Sequence, residues 1–516
     1  MNFLEQLKND MNYTVTENGA IAYKSTRNAC LDAFGSLGAM RKSTDNEIIS
    51  TFSKAFAENH AVAMRMLFYM RDIRGGQGCR RVFRVIWKWL AETAPEYVTH
   101  NLDNILVYGR GDDIICLLDT AIAPKVASWV REKLSVDAVN VSNGVEISLL
   151  AKWLPSENTS SPATKAAARK LMKLMHWSPR KYRKVLSAFR KYLSIVECKM
   201  SAKEWTAIGY EAVPSKAAML YSDAFYKHDP RGYGKYIADI ATGDAKVNAG
   251  ALYPYDIVHK VINNYTLSNK DKLLYDAMWK SLPNYFEGKE ETGICVVDTS
   301  GSMSGTPIEV AISLGMYCGD KCKGPFAGHF ITFSNRPELV TIQGTDIVEK
   351  VRNIERANWD MNTNLEAVFD LLLNTAIRHR TPASEMPNKL YIISDMQFDE
   401  ARGTYGWHTR SYRPFMEVMK DKYEAAGYEM PIIVYWNVRA STCGMFQQTF
   451  ENQNCCMVSG YSSSLFKAVI EGTTYEEEIM VDEYGHTSST LKATIDPMTM
   501  MLNTLGNERY DAVWVG

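Results

Sequence analysis

Ile294-Cys295-Val296-Val297-Asp298-Thr299-Ser300-Gly301-Ser302 marks a change of texture in the chain. Four apolar residues, three of them β-branched, run into a carboxylate and then into hydroxyls and a glycine. That is the composition of a buried strand ending in a tight polar loop. Working outward, Pro307–Cys322 has the spacing of a helix, and Phe326–Phe333, Lys389–Ser394 and Ile432–Asn437 read as further buried strands. Leu365–His379 and Tyr412–Ala426 read as helices between them. Apolar strands alternating with amphipathic helices predict an α/β doubly wound, parallel sheet. Such sheets bind ligands at the carboxyl ends of their strands.

Two strand ends place carboxylates at that rim. Asp298 is followed by the hydroxyls of Ser300 and Ser302, and Asp395 follows Tyr391-Ile392-Ile393-Ser394. Thr363, in Asn362-Thr363-Asn364 ahead of a helix, offers a third hydroxyl from a separate loop. A hard divalent cation such as Mg²⁺ takes oxygen ligands and keeps some waters, so this set suits it. Ser and Asp also favour turns and helix caps, so the pentapeptide alone reads equally as a strand-to-helix turn. The five residues in this order resemble the metal-ion-dependent adhesion site of von Willebrand factor A domains. The resemblance implies that Ser300, Ser302 and Thr363 coordinate directly and that Asp298 and Asp395 coordinate directly or through water. It leaves one position for an acidic group of a partner. The cation is expected to be Mg²⁺, with Mn²⁺ and Ca²⁺ as alternatives. Two positions depart from the family pattern: Asn362 and Met396 stand where it commonly has glycine.

Upstream, from Ser43 to Tyr285, the spacing is helical and strands are hard to find. Glu47–Arg71, Arg80–Thr93, Asp113–Leu134, Glu146–Leu154, Pro162–Met175, Pro179–Val196 and Ala217–Phe225 each predict one amphipathic helix. The formal net charge of −1 suggests no polyanion partner, but it averages over uneven faces. Between Ser161 and Glu204 stand twelve lysines and arginines against Glu197 and Glu204. Clustered basic residues of this kind neutralise phosphates with little sequence preference. The residues singled out are Lys165, Arg169, Lys170, Lys173, Arg180, Lys181, Arg183 and Lys184, with His176 and Trp177 placed to stack on a base. Arg74, Arg80 and Arg81, around the glycine-rich turn Gly75-Gly76-Gln77-Gly78, could add backbone contacts. A solvated helix face is the plain alternative for the lysines, and a structural role for His176. Arg71-Asp72 and Arg110 with Asp112-Asp113 read better as intramolecular ion pairs than as RNA contacts.

Several stretches carry a further resemblance: Asn28-Ala29-Cys30-Leu31-Asp32-Ala33-Phe34, Arg71-Asp72-Ile73-Arg74-Gly75-Gly76-Gln77-Gly78, and Tyr108-Gly109-Arg110-Gly111-Asp112-Asp113. Leu150-Ala151-Lys152-Trp153-Leu154-Pro155-Ser156 and Val213-Pro214-Ser215-Lys216 continue it. With the A domain behind them, these resemble the TROVE module of the Ro autoantigen, and more closely a related family of unknown function from phages, fungi and plants. The resemblance covers nearly the whole chain. It implies an all-α HEAT-like helical-repeat ring, residues 1–288, followed by the von Willebrand A (Rossmann-like) domain at 289–475. A C-terminal extension at 476–516 packs on the rest. The implied function is a ribonucleoprotein scaffold binding small structured RNA and single-stranded RNA ends, with a nuclease or other protein partner at the metal site. The alternative is a metal-dependent protein-interaction module without RNA binding. No DNA partner is expected.

Length and composition bound these readings. At 516 residues with 46% hydrophobic and 23% charged residues, the chain is ordinary globular material for more than one domain. No run approaches a membrane span and the first residues lack the layout of a signal peptide, so a cytoplasmic protein is expected. Ten cysteines without a CxxC pair read as reduced thiols. The glycine-rich turn lacks the Lys-Ser/Thr of a phosphate loop, and no HExxH or GxSxG occurs. The protein is therefore expected not to be an enzyme. A metal-dependent phosphoesterase would need a base near Asp298, for which Asp399 and Glu309 are the nearby candidates.

Overall fold

A computed structural model describes residues 7, 11–289, 292–333, 336–356, 364–399, 415–440, 445–481 and 487–516. They form two compact units. One comprises residues 1–62, 252–268 and 282–507, and the other 63–251, 269–281 and 508–516. The chain is thus interleaved, where the sequence reading placed segments end to end at 1–288, 289–475 and 476–516. Local periodicity reports which element a residue belongs to, not which distant element it packs on.

The first unit begins with an antiparallel hairpin, β1 (Tyr13–Val15) and β2 (Ile21–Tyr23). Its central sheet contains β3 (Ile294–Asp298), β4 (His329–Phe333), β5 (Leu339–Thr341), β6 (Lys389–Ser394), β7 (Ile432–Asn437) and β8 (Cys455–Ser459), in the spatial order β5-β4-β3-β6-β7-β8. All pairings are parallel except β4 with the edge strand β5. The order therefore reverses between β3 and β6, the switch point where such sheets open a crevice beyond their strand ends. Strands β3, β6, β7 and β8 are buried along their full length, as their Val, Ile and aromatic content requires. Alternate residues face opposite layers. Ile392, Ile433 and Tyr435 join Phe369 and Tyr423 in one core. Tyr391 and Trp436 point the other way, onto Phe466, with ring centroids 5.0 and 4.7 Å apart. Thr306–Lys321 follows β3 as a helix, and Gly315 lets it sit on the sheet, since a Cβ there would lie 2.7 Å from Val297 Cγ2.

β4 starts three residues later than expected, because Phe326-Ala327-Gly328 is a turn with Gly328 at φ 76°. Leu365–His379 is the helix expected, and Phe415–Ala425 is the described part of the next. β5, β8 and a second antiparallel hairpin, β9 (Thr473–Val481) with β10 (Thr487–Ile495), were not foreseen. The helix Ala29–Ser36 packs on the sheet beside β8, where the Ser459 hydroxyl donates to Phe34 O at 2.8 Å and accepts from Gly38 N at 3.0 Å. A Cβ on Gly38 would meet Ser459 O at 2.0 Å, so the approach needs glycine.

The second unit is helical. Two long helices expected from the sequence are each broken. Asp45–Glu58, in the first unit, ends at Asn59, whose side chain accepts from Val62 N at 3.1 Å and so restarts the chain as His60–Arg71. Asp113–Leu134 is instead a 3₁₀ turn, Gly111–Leu117, and a helix, Ala123–Ser142, with Pro in its first turn. Arg80–Thr93 and Pro162–Met175 have the expected bounds, whereas Pro179–Tyr192 stops short of Val196 as Ser194 turns to φ 50°. Residues 508–516 return here. Arg509 reaches both oxygens of Asp72 at 2.5 and 3.0 Å, Tyr510 donates to Asp72 at 3.2 Å, and Asn101 donates to Trp514 O at 2.8 Å. Among the described residues no helix is long and apolar enough to cross a membrane, and nine cysteines are free thiols.

Candidate metal centre and basic hairpin

β3 and β6 end side by side, so register alone brings Asp298 and Asp395 to the switch point. Asp298 is fully buried. Its Oδ1 accepts from Ser300 N at 2.9 Å and its Oδ2 from the Ser394 hydroxyl at 2.5 Å. Ser300 Oγ lies 3.0 Å from Ser302 Oγ. Asp395 is 3% exposed; its Oδ1 accepts from Gln397 N at 3.3 Å, while its Oδ2 is buried with no hydrogen-bond partner. Burial, and then the charge of Asp395, push the Asp298 carboxyl up to about 6, and burial raises Asp395 as well. A desolvated carboxylate oxygen without a donor is costly unless a cation or proton meets it. These four residues therefore fit a hard divalent cation. Among the described residues no three His, Cys, Asp or Glu gather at one place. The donors here are two carboxylates and hydroxyls, the oxygen set that Mg²⁺ prefers. Thr363 and Asn362 lie outside the described residues. Asn364, next to them, caps the helix Leu365–His379 by accepting from Ala367 N at 3.0 Å.

Met396, where the adhesion-site pattern has glycine, adopts the left-handed conformation at φ 67° with its side chain buried. The backbone shape that glycine would supply is thus kept at the expense of strain. Sequence reasoning missed the groups that brace this loop. In the turn between β1 and β2, the Thr16 hydroxyl donates to Phe398 O at 2.7 Å, Glu17 N to Gln397 Oε1 at 2.9 Å and Asn18 Nδ2 to Gln397 O at 2.8 Å. Arg439, after β7, donates to Ser302 O. These contacts span 137 to 382 positions, beyond any local signal. Glu309 is held by His259 Nδ1 at 2.7 Å and Asn263 Nδ2 at 3.1 Å. Asp399 pairs as a β-bridge with Gly19.

In the helical unit, Pro162–Met175 and Pro179–Tyr192 form a hairpin joined by His176, Trp177 and Ser178. Ser161 and Ser178 cap the two helices, each accepting an amide at 3.3 Å. His176 takes the left-handed position that ends the first helix, φ 55°, and its side chain is exposed. Arg169, Lys170, Lys173, Arg180, Lys181, Arg183 and Lys184 are exposed and Lys165 is half-buried. Some are already engaged: Lys170 with Asp119, Arg183 with Glu157 at 2.5 Å, and Lys181 over the Trp177 ring at 4.5 Å. Arg190 is structural, donating to Ala151 O, Leu154 O and Ser156 Oγ. Arg74 is exposed on the glycine-rich turn, and Arg80 and Arg81 are exposed at the start of the helix Arg80–Thr93. The expected ion pairs are present: Arg71 with Asp113, Arg110 with Asp112, and Asp72 with Arg509.

Fold and site together define a two-part protein, a helical region joined to a C-terminal mixed α/β domain with two buried carboxylates at its switch point. The chain belongs to the family described as domain of unknown function DUF2828, which it matches over residues 16–113 and 119–285. Residues 292–505 match a second domain of unknown function, DUF7788. An uncharacterized protein of Acanthamoeba polyphaga mimivirus is 30% identical over 505 residues, covering 91% of this chain and 86% of the viral protein.

Proposed function

We propose that the chain is a non-enzymatic RNA-binding scaffold related to the TROVE proteins, with HEAT-like helical repeats and a von Willebrand A domain. The observation that carries this reading is the exposed basic hairpin. Lys165, Arg169, Lys173, Arg180 and Lys184 lie on its two helices with no acidic partner among the described residues. Trp177 stands at the connection beside Lys181. Lysines and arginines so placed contact successive phosphates of small structured RNA or single-stranded ends, and the indole offers a face for a base. The test is the 260/280 nm absorbance ratio of protein purified at low salt, with sequencing of what co-purifies. Reversing the charge of Lys170, Lys173, Arg180 and Lys181 should release the RNA and lower the salt-dependence slope of rebinding by about 3. RNA-free protein that binds no better than an albumin control would end this reading.

A second reading is favoured by the orphan oxygen of Asp395: the α/β domain captures an acidic group of a partner protein through a divalent cation. Asp298, Ser300, Ser302 and Asp395 would hold the cation, which supplies a Lewis-acidic site for a carboxylate. Asp298 and Asp395 would bind it, while Ser394 orients Asp298 and the hairpin turn fixes the loop behind Asp395. A partner retained in Mg²⁺ and lost both in EDTA and on Asp298→Ala would establish it. Retention in all three conditions would exclude it.

A further inference from the structure

Away from the hairpin, the helical unit gathers four arginines around two aspartates. Arg71 and Arg84 each donate through Nε to Asp113 at 2.7 Å, Arg84 Nη2 lies 2.9 Å from Asp112, and Arg110 Nη2 reaches Asp112 at 2.5 Å. Arg80 stands among them, near Asp112 but in no ion pair among the described residues, so four guanidiniums face two carboxylates and leave two positive charges in surplus. Burial and the nearby Arg110, Arg84 and Arg71 hold its guanidinium below its ordinary pKa. A partly desolvated surplus of one sign calls for a counter-ion.

Arg80 opens the 14-residue helix Arg80–Thr93, whose first turn carries no acid and whose N-cap, Cys79, supplies no side-chain acceptor. The positive end of the helix dipole favours an anion, and cations are the wrong charge for this position. Independently, the Arg71 side chain is only 5% exposed and its Nη2 is buried without a hydrogen-bond partner. The Arg110 guanidinium is fixed in orientation by the Trp153 ring, 3.8 Å beneath it.

We propose that Arg80, Arg84 and Arg110, at the start of the helix Arg80–Thr93, bind one phosphate group. A tetrahedral anion offers several acceptor oxygens to guanidinium forks and helix amides at once, and its charge offsets the surplus. The phosphate comes either from an RNA phosphodiester, in which case this site rests on the RNA-binding reading, or from a free phosphate compound, in which case it stands alone.

The probe is inorganic phosphate, titrated into the full-length protein at constant ionic strength with thermal unfolding as readout. Saturable stabilisation is expected in the native protein. Arg80→Gln should weaken the apparent affinity about tenfold or more, Arg80→Lys less, and Lys235→Gln, on an exposed face of another helix, not at all. Circular dichroism of each variant checks its fold. In parallel, a single-stranded RNA oligonucleotide is bound with and without phosphate. RNA affinity that drops in Arg80→Gln and competes with phosphate assigns the site to RNA. RNA affinity unchanged by Arg80→Gln assigns it to a free phosphate compound. No RNA binding at all ends the RNA reading and leaves the phosphate site standing. The proposal is overturned if phosphate does not stabilise the native protein, or stabilises a folded Arg80→Gln equally.

Discussion

Met396 sets two effects of known size against each other. Glycine would relieve the left-handed backbone at φ 67° by about 1 kcal/mol, but it would also empty a buried site worth about 2 to 5 kcal/mol. The cavity wins, so both Met396→Ala and Met396→Gly should be less stable than the native protein. Because both leave the cavity and only one relieves the backbone, the glycine variant should be the more stable of the two by about 1 kcal/mol in denaturant unfolding. Equal stabilities would show that the loop does not hold that residue strained. A second residue-scale expectation concerns Asp112. Although burial opposes its charge, the hydrogen bond from Arg110 and the charges of Arg84 and Arg110 depress its carboxyl to about 2, below the ordinary 3.8. A depressed folded-state pKa contributes stability that is present above the unfolded value and lost as pH falls through the folded one. Acid titration should therefore destabilise the helical unit between about pH 4 and pH 2, and Asp112→Asn should flatten that part of the curve.

Among the elements, the nine-residue return at 508–516 is anchored at its start by one buried carboxylate. Asp72, whose side chain is 2% exposed, accepts from Arg509, Tyr510 and the amides of Arg74 and Gly75. Arg509→Ala leaves that charge short of its cation and should cost about 2 to 4 kcal/mol. Hydrogen exchange should quicken at residues 508–516 and at the Gly75-Gly76 turn, while β6 and β7 stay protected. Such elements also show what the sequence makes legible. β3, β6 and β7 were readable because a strand buried on both faces is written as a continuous apolar run, and Asp298 and Asp395 were readable because they end such runs. β5 was not, being three residues on a sheet edge with two of them exposed. The breaks at Asn59 and after Leu117 were hidden because the apolar spacing continues through them, and a cap shows only in the hydrogen bonds it makes. The Thr16, Glu17 and Asn18 bracing of the Asp395 loop had no local trace.

For the whole molecule, two compact units predict two calorimetric transitions rather than one. If the switch point holds a divalent cation, Mg²⁺ should raise only the transition of the unit containing Asp298 and Asp395, and Asp395→Asn should abolish that shift. A shift of both transitions, or of neither, would count against cation binding at that place. Because either unit is assembled from separated stretches, cutting the chain at residue 288 would leave both incomplete, and neither half should give a cooperative transition.

The interleaving also bears on how the protein is made. Residues 13–38 leave the ribosome some four hundred codons before the groups that hold them, Gln397, Phe398, Phe446 and Ser459. The helical unit likewise waits for residues 508–516, which are translated after every other part of it. A nascent chain therefore carries unsatisfied partners while the intervening stretches are made. Yield in cells should follow chaperone supply and elongation rate more closely than the stability of the finished fold.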